Sequence, residues 1–411
     1  MLLAWKTCEF VNMSRKILHL DLDAFFCSVE ELLDPSLVGK AFAVGGSPQG
    51  RGVIASCSYA ARLKGVRSAM PAGRAIQLCP ELIMIHHRHG LYSDYSDRVM
   101  SILWDTTPLV EQVSVDEAFL DVSDLPQPLR LIAVELQKRV ANETQLPCSL
   151  GGGTNKLIAK MANDYGKKQV RTGRAPQSIT IIEPGEEQAF LAPLEIQALW
   201  GFGPKTAEKL RERGIFRIGQ LYELSDTELH IFFGNQASEI LDRAKGIDSR
   251  PVYDSEHDPK SVSNETTYYS DTDDLEQISN TLRWLSDKVG YRLRKHNLAG
   301  SCVQIKIRYS DFTTITRQKM LHQPTNLDDE IFSAAKELLK SHLTVGREVR
   351  LLGVGVTKLE EPAIQLSLWD DTVQKKTQLT EAIDTLKEKF GKGIIMRASS
   401  LKPGKKETKN K

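Results

Sequence analysis

Residues 112–123, QVSVDEAFLDVS, set an acidic pair, Asp116-Glu117, between two short runs rich in branched and aromatic residues. Successive side chains of one strand point to opposite faces, so two adjacent acids in mid-strand cannot share a target. At a hairpin turn between LVEQVSV and AFLDV both swing to the same side. Turns also favour Asp for solvation alone, so the pair by itself decides nothing. The upstream stretch KILHLDLDAFF (16–26) supplies a partner. Its period-two alternation puts Leu18, Leu20 and Leu22 on one face and His19, Asp21 and Asp23 on the other, the pattern of a half-buried strand. With both strands in one sheet, the tip carrying Asp21 meets the hairpin turn.

Three carboxylates about 4 Å apart repel by about 4 kcal/mol per pair at an effective dielectric of about 20. Divalent cations relieve this at neutral pH, and hard oxygen donors without neighbouring His or Cys point to Mg²⁺. A pair of such ions stabilises both the attacking and the leaving oxygen of a phosphoryl displacement. On the residues alone, a nucleotide cyclase remains an open alternative.

The 411 residues, 41% hydrophobic and 26% charged, make a globular chain long enough for two to four domains. The net charge of +1 leaves any basic surface local. Six cysteines (Cys8, Cys27, Cys57, Cys79, Cys148, Cys302) without a C-x-x-C pair read as reduced, buried thiols, against a disulfide frame or a zinc site. The opening MLLAWKTCEFVNMSRK is too short and too interrupted by Lys6 and Glu9 for a signal peptide, and no apolar run reaches membrane-spanning length. A cytoplasmic protein is expected, with Met13 as an alternative start.

FFCSVEELLDP turns helical, 36–90 reads as short strands and helices around turns, and LYSDYSDRVMSILWD as a helix. PCSLGGGTNKLIAKMANDY reads as strand, glycine turn and helix. The order predicts an α+β unit with helices on one face of an antiparallel sheet. Residues 180–247 read as helical and DSEHDPKS (254–261) as a linker. Residues 262–359 read as strand, helix, strand pair, helix, strand, a second α+β unit, and KPGKKETKNK as a disordered tail.

HLDLDAFFCSVE, SCSYAARLKGVRSAMP, SVDEAFLDVS, NKLIAKMANDYGK and GFGPKTAEKLRERGI together resemble the Y-family translesion DNA polymerases, in the bacterial DinB branch, from about residue 14 to about 400. The resemblance implies a multidomain α+β right-hand fold: a ferredoxin-like palm (14–33 and 92–180), small fingers (34–91), a helical thumb with a helix-hairpin-helix (181–250), a linker (251–261) and an α+β little finger (262–360). Residues 1–13 would be an extension and 361–411 a tail. It further implies a monomeric, distributive, low-fidelity enzyme. That enzyme extends a primer on template DNA with deoxynucleoside triphosphates, uses two Mg²⁺ (Mn²⁺ substituting) and lacks a proofreading exonuclease. The resemblance implies minor-groove guanine adducts as the lesions bypassed. A non-catalytic DNA scaffold is the rival from another class.

By the same resemblance Asp21, Asp116 and Glu117 are metal ligands, Leu22 lends a backbone carbonyl, and Glu117 is essential to catalysis; Asp23 is structural. Phe26 matches a steric gate, a ring under the sugar that leaves no room for a 2′-hydroxyl. Phe25 is a core residue as readily as a nucleotide contact. Tyr59 and Arg62, with Ser56 a weaker match, hold the triphosphate, and Lys167 contacts the same phosphates. Lys168-Gln169 stands where relatives show Pro-Asn, which makes Lys168 a candidate to share that task. Lys156 and Lys160 read as packing or backbone contacts. GGGTNK lacks P-loop spacing.

For DNA, Gly201 and Gly203 let a hairpin backbone come close, and the next helix, beginning near Lys205 and Thr206, offers unpaired N–H groups to a phosphate. In CVQIKIRYSDF, Val303, Ile305, Ile307 and Tyr309 alternate with Gln304, Lys306 and Arg308, one face apolar and one basic. Arg317 and Lys319 are expected to extend the basic face onto the paired strand. A solvated sheet face fits equally well; the resemblance implies a DNA-tracking surface. QLSLW (Gln365, Leu366, Ser367, Leu368, Trp369) resembles the peptide that binds the bacterial sliding clamp, with Trp369 where Phe is common. His86, His87 and His89 have no ligand spacing around them and read as surface or strand-end histidines.

Overall fold

The structure is a computed structural model and describes residues 14–170, 172–253, 259–362, 372–391 and 394–395. The N-terminal extension with Met13, residues 254–258 of the linker, the QLSLW peptide and the final basic tail lie outside the described residues. The chain divides into two compact units, with the boundary between residues 256 and 257.

The first unit begins with β1 (Ile17–Leu22), α1 (Phe25–Leu33), β2 (Phe42–Gly45), β3 (Ile54–Cys57), α2 (Tyr59–Leu63), α3 (Ala72–Leu78), β4 (Ile83–Ile85) and α4 (His89–Thr106). It continues through β5 (Val110–Gln112), β6 (Glu117–Asp121), α5 (Leu129–Thr144), β7 (Cys148–Gly153), α6 (Lys156–Gln169) and β8 (Ile179–Ile181). Four helices follow: α7 (Glu187–Leu191), α8 (Pro204–Arg211), α9 (Asp226–Phe233) and α10 (Ala237–Ala244).

The main sheet runs β5-β6-β1-β7-β8, with β1 at its centre and antiparallel to both neighbours. It is mixed and covered on both faces, which corrects the expectation of helices on one face of an antiparallel sheet: β8 pairs parallel to β7, and α6 lies on the His19 face, opposite α1, α4 and α5. The chain returns to the sheet through α6, and a helical crossover brings a strand back parallel. Leu18, Leu20 and Leu22 enter the core with residues of α1, α4 and α5, as their alternation predicts. A small sheet, β3-β2-β4, encloses its own core with α2 and α3. The helical segment from α7 onward shares its core with α6 through Leu157, Ile158, Met161 and Ala162.

The glycines of β7 explain GGGTNK. A Cβ at Gly151 would meet the Ala159 carbonyl oxygen at 2.1 Å and the Asn163 nitrogen at 2.3 Å. With no Cβ there, α6 lies directly on the sheet.

The second unit is β9 (Ser261–Thr272), α11 (Leu275–Lys295), β10 (Ala299–Tyr309), β11 (Thr314–Thr325), α12 (Asp328–His342), β12 (Val349–Glu360) and α13 (Thr372–Phe390). Its sheet, β11-β10-β12-β9, is covered on one face by α11 and α12. Helix α13 is not foreseen from the sequence, where its many charges read as tail. It is fastened to α11 by Arg294 Nε on Asp384 Oδ2 at 2.6 Å and Tyr291 on Glu388 at 3.3 Å. Among the described residues five free cysteines are all buried, as expected of reduced thiols. No helix among them is long and apolar enough to cross a membrane.

Candidate active site

The register of the main sheet settles where the acids meet. Asp21 at the tip of β1 pairs with Glu117, the first residue of β6. Asp116 sits in the preceding turn, and its carbonyl accepts the Leu22 N–H at 2.9 Å. Ser114 closes the turn: its Oγ donates to Asp116 Oδ1 at 2.6 Å and accepts from the N–H groups of Asp116 and Glu117. The turn keeps both acids at the strand end, which mid-strand alternation would forbid. A cavity of about 240 Å³ opens there, and its lining includes Asp21, Leu22, Asp116, Phe25, Phe26, Ser56, Arg62 and Lys167.

Over the acids runs a stripe of α6. Lys156, Lys160, Asn163 and Lys167, spaced four, three and four, share one helix face. Each finds a partner on the sheet. Lys156 Nζ lies 2.7 Å from Glu111 Oε2 and Lys160 Nζ 2.8 Å from Glu117 Oε1. Lys167 Nζ lies 2.5 Å from Asp21 Oδ1 and 3.2 Å from Asp23 Oδ1. Lys156 is buried against Phe119 and Tyr253, as its packing reading expects, and also ion-paired; Lys160 is an ion-pairing group, which corrects its reading as a packing or backbone contact. Lys168, one residue on, is exposed, and Lys167 alone of the two reaches the cavity. The helix continues to Gln169, with no proline within it to break it.

Asn163 orients a buried histidine. Its Nδ2 donates to the carbonyls of His19 and Ser149 and lies 2.9 Å from His19 Nδ1. On its other side the ring presents Nε2 to Glu117 Oε2 at 3.8 Å. Burial pushes the His19 imidazole below its usual range. The imidazole and Lys160 keep Glu117 ionised well below the usual carboxylate range. Burial raises Asp21 to about 7, opposed by Lys167 and aided by Glu117. Asp23 is fully buried, accepts from Ser149 Oγ at 2.9 and 3.0 Å and from the Gln177 N–H at 3.0 Å, and supports the site from behind.

Among the described residues no three His, Cys, Asp or Glu side chains are closed around one point as a ready metal cage. Asp21 and Glu117 are each drawn to a lysine, and Asp116 to Ser114. The donor chemistry is that of a hard cation: carboxylate oxygens of Asp21 and Asp116 line one cavity, and Glu117 stands beside Asp21 in the sheet register.

Around the cavity, Phe25 is both buried core and lining. The Phe26 ring stacks on Tyr92 with centroids 4.4 Å apart. The Arg62 guanidinium lies 4.6 Å over the Tyr59 ring, and the Tyr59 hydroxyl is 3.5 Å from Asp23 Oδ1. His19, Ser114, Tyr92 and His87 are absent from the sequence-derived set, although His19 shares the alternating face of Asp21 and was legible there.

The hairpin glycines behave differently from one another. Gly201 has φ 94°, and a Cβ on it would meet the Arg243 guanidinium at 2.7 Å. Gly203 caps α8 with open space about it, and Lys205 is exposed beside it with Thr206 next along the helix. In the second unit, Lys306 and Arg308 lie on the helix-free face of β10, alternating with buried Ile305 and Ile307. Arg317 pairs with Ile305 and Lys319 with Val303, so both stand on the opposite face, the helix side. This corrects the expected basic extension; Lys319 is bound to Glu337 of α12.

The impB/mucB/samB family matches residues 20–164, its C-terminal domain residues 259–368, and its helix-hairpin-helix motif residues 184–215. A protein named DNA polymerase IV from Dehalococcoides mccartyi is 38% identical over 392 residues, covering 94% of this chain and 98% of its own. Another of that name from Halorhodospira halophila is 40% identical over 349 residues, covering 84% and 96%. Among solved structures, a Y-family DNA polymerase chimera of Dbh and Dpo4 superposes with TM-score 0.74 at 26% identity, covering 84% of this chain and all of that one. An insertion ternary complex of Dbh DNA polymerase gives TM-score 0.60 at 26% identity and the same coverage.

Proposed function

The chain belongs to the bacterial Y-family DNA polymerases, in the DinB branch, and we propose that the cavity at the tip of β1 is its nucleotidyl-transfer site. The enzyme is a DNA-directed DNA polymerase of translesion synthesis. It adds deoxynucleotides to a primer 3′ end on template DNA and, like its family, is metal-dependent and lacks proofreading. The observation that carries the site assignment is the convergence of Asp21 and Asp116 on one cavity with Phe26, Arg62 and Lys167.

Asp21, Asp116 and Glu117, with the Leu22 carbonyl, would hold the metal, and the all-oxygen donor set favours Mg²⁺, two per site, with Mn²⁺ able to substitute. Bound there, such ions neutralise triphosphate charge and acidify the primer hydroxyl. The protein's part is positioning. Lys167 from α6 and Arg62 from α2 present cationic donors to the phosphates, a planar guanidinium suiting phosphate oxygens. Tyr59 and Ser56 adjoin that path. Lys160 fixes the Glu117 carboxylate. Phe26 lies beneath the sugar as the steric gate and discriminates by a clash with a 2′-hydroxyl. Phe25 braces it.

On this reading the main sheet with its helices is the palm, the β3-β2-β4 module the fingers, α7–α10 the thumb and the second unit the little finger. Gly201, Gly203, Lys205 and Thr206 form a sequence-independent phosphate contact, and Lys306 and Arg308 track the backbone. Residues 365–369 tether a monomeric, cytoplasmic enzyme to the sliding clamp; their match to the clamp-peptide pattern supports this, and a raised local concentration at the primer end is the gain.

The test is primer extension on a defined template with Mg²⁺, Mn²⁺ or no divalent ion, beside an assay for cyclic nucleotide from ATP. Extension in Mg²⁺ alone and in Mn²⁺ alone, and none without a divalent ion, supports the reading. Extension without any divalent ion, or cyclic product without extension, rejects it.

A further inference from the structure

We propose that His87 is a positioning residue for sugar discrimination, holding the Phe26 ring so that it cannot yield to a ribose 2′-hydroxyl. The inference rests on the reading of Phe26 as the steric gate. A gate of this kind works through a clash, and a clash discriminates only when the ring has nowhere to go. A phenyl ring on a helix has two side-chain torsions with which to retreat. The structure closes those retreats with rings from two further segments.

Tyr92 of α4 forms the back wall. Its ring stacks on Phe26 at 4.4 Å and 28°. It is fixed in turn: its hydroxyl donates to Glu30 Oε1 at 2.7 Å, and Glu30, 1% exposed, pairs through its other oxygen with Arg88 at 3.2 Å. His87, in the loop between β4 and α4, forms the side wall. Its imidazole stands edge-on to Phe26, centroids 4.7 Å apart at 81°, and edge-on to Tyr92, 4.9 Å apart at 80°. Perpendicular ring pairs at this spacing are the attractive arrangement of aromatic quadrupoles. Without the imidazole, a space one ring wide opens beside Phe26, and the gate can swing into it.

The experiment measures kcat/KM for a matched ribonucleotide and a matched deoxynucleotide, by single-nucleotide extension, in the full chain and its variants. The ribo-to-deoxy ratio is the readout, because general damage to the fold lowers both terms together. His87→Ala raises the ratio about tenfold, the scale of a modest change in pocket fit. His87→Phe, which restores an aromatic wall, returns it toward wild type, and His87→Leu gives a smaller rise and serves where the Ala variant fails to fold. In Phe26→Ala the ratio rises further, and adding His87→Ala changes it no more. A wild-type ratio in both His87→Ala and His87→Leu, beside a raised ratio in Phe26→Ala, overturns the role of His87 and leaves the gate standing. So does a His87→Ala effect that adds in full to Phe26→Ala. An unchanged ratio in Phe26→Ala removes the gate itself, and this inference with it.

Discussion

The five-stranded sheet of the first unit and the four-stranded sheet of the second carry charge in opposite ways. In the first, glycines let α6 settle onto the strands, and its lysine stripe meets a row of acids at 2.5–2.8 Å, half-buried or deeper. In the second, both helices lie on one face, and Lys306 and Arg308 stand on the other, with Glu265 2.8 Å from Lys306. Charge that is sheltered and paired acts through position, and losing one partner leaves the other stranded. Charge on an open face acts through summed potential, screened by salt and tolerant of single losses.

The sharpest break of that contrast is steric. Gly151→Ala should destabilise the full chain by about 3 kcal/mol in urea unfolding, since backbone of α6 blocks the new methyl. Gly353→Ala on the open face, where the nearest atoms are Glu265 Cβ at 3.2 Å and Lys306 Cβ at 3.4 Å, should cost under about 1 kcal/mol. Equal losses would mean that α6 does not press on β7 as described. Next comes Lys160→Ala, expected to lower kcat/KM for deoxynucleotide insertion by about 10- to 100-fold, as removal of a carboxylate's supporting partner does. Steady-state kinetics indistinguishable from wild type would make the Lys160–Glu117 pair ornamental.

Smaller still is Arg308→Ala, a few-fold weaker in primer–template affinity, with the slope of log affinity against log salt reduced by about one. Fluorescence anisotropy across a salt series measures both, and an unaltered slope would take Arg308 off the DNA surface. Lys319→Ala, on the helix side, should leave the affinity where it was. A loss equal to that of Arg308→Ala would restore the basic extension that the register denies.

Much of this was written plainly in the chain. Period-two alternation marked β1 and β10, and the strand-like runs on either side of the acidic pair marked a turn, where two adjacent acids can face one way. What stayed hidden depends on register and on close approach. Arg317 and Lys319 look like a continuation of Lys306 and Arg308 until the pairing of Val303 with Lys319 assigns them to the other face. The Lys156, Lys160, Asn163, Lys167 spacing was visible, but its meaning needed the sheet beneath it. His87 could not be told from its neighbours, because three rings from separate segments meet only in the fold. Helix α13 hid behind its charges, since the carboxylate that docks it, Asp384, is indistinguishable in sequence from a solvated one.

One measurement bears most directly on the acidic centre. Asp116→Ala, compared with wild type under saturating Mg²⁺ and deoxynucleotides, should lose primer extension by at least about 10³-fold, the scale of a metal-held transition state. Its primer–template affinity should stay within about twofold. Extension by this variant at the wild-type rate would contradict the assignment of the cavity at the tip of β1.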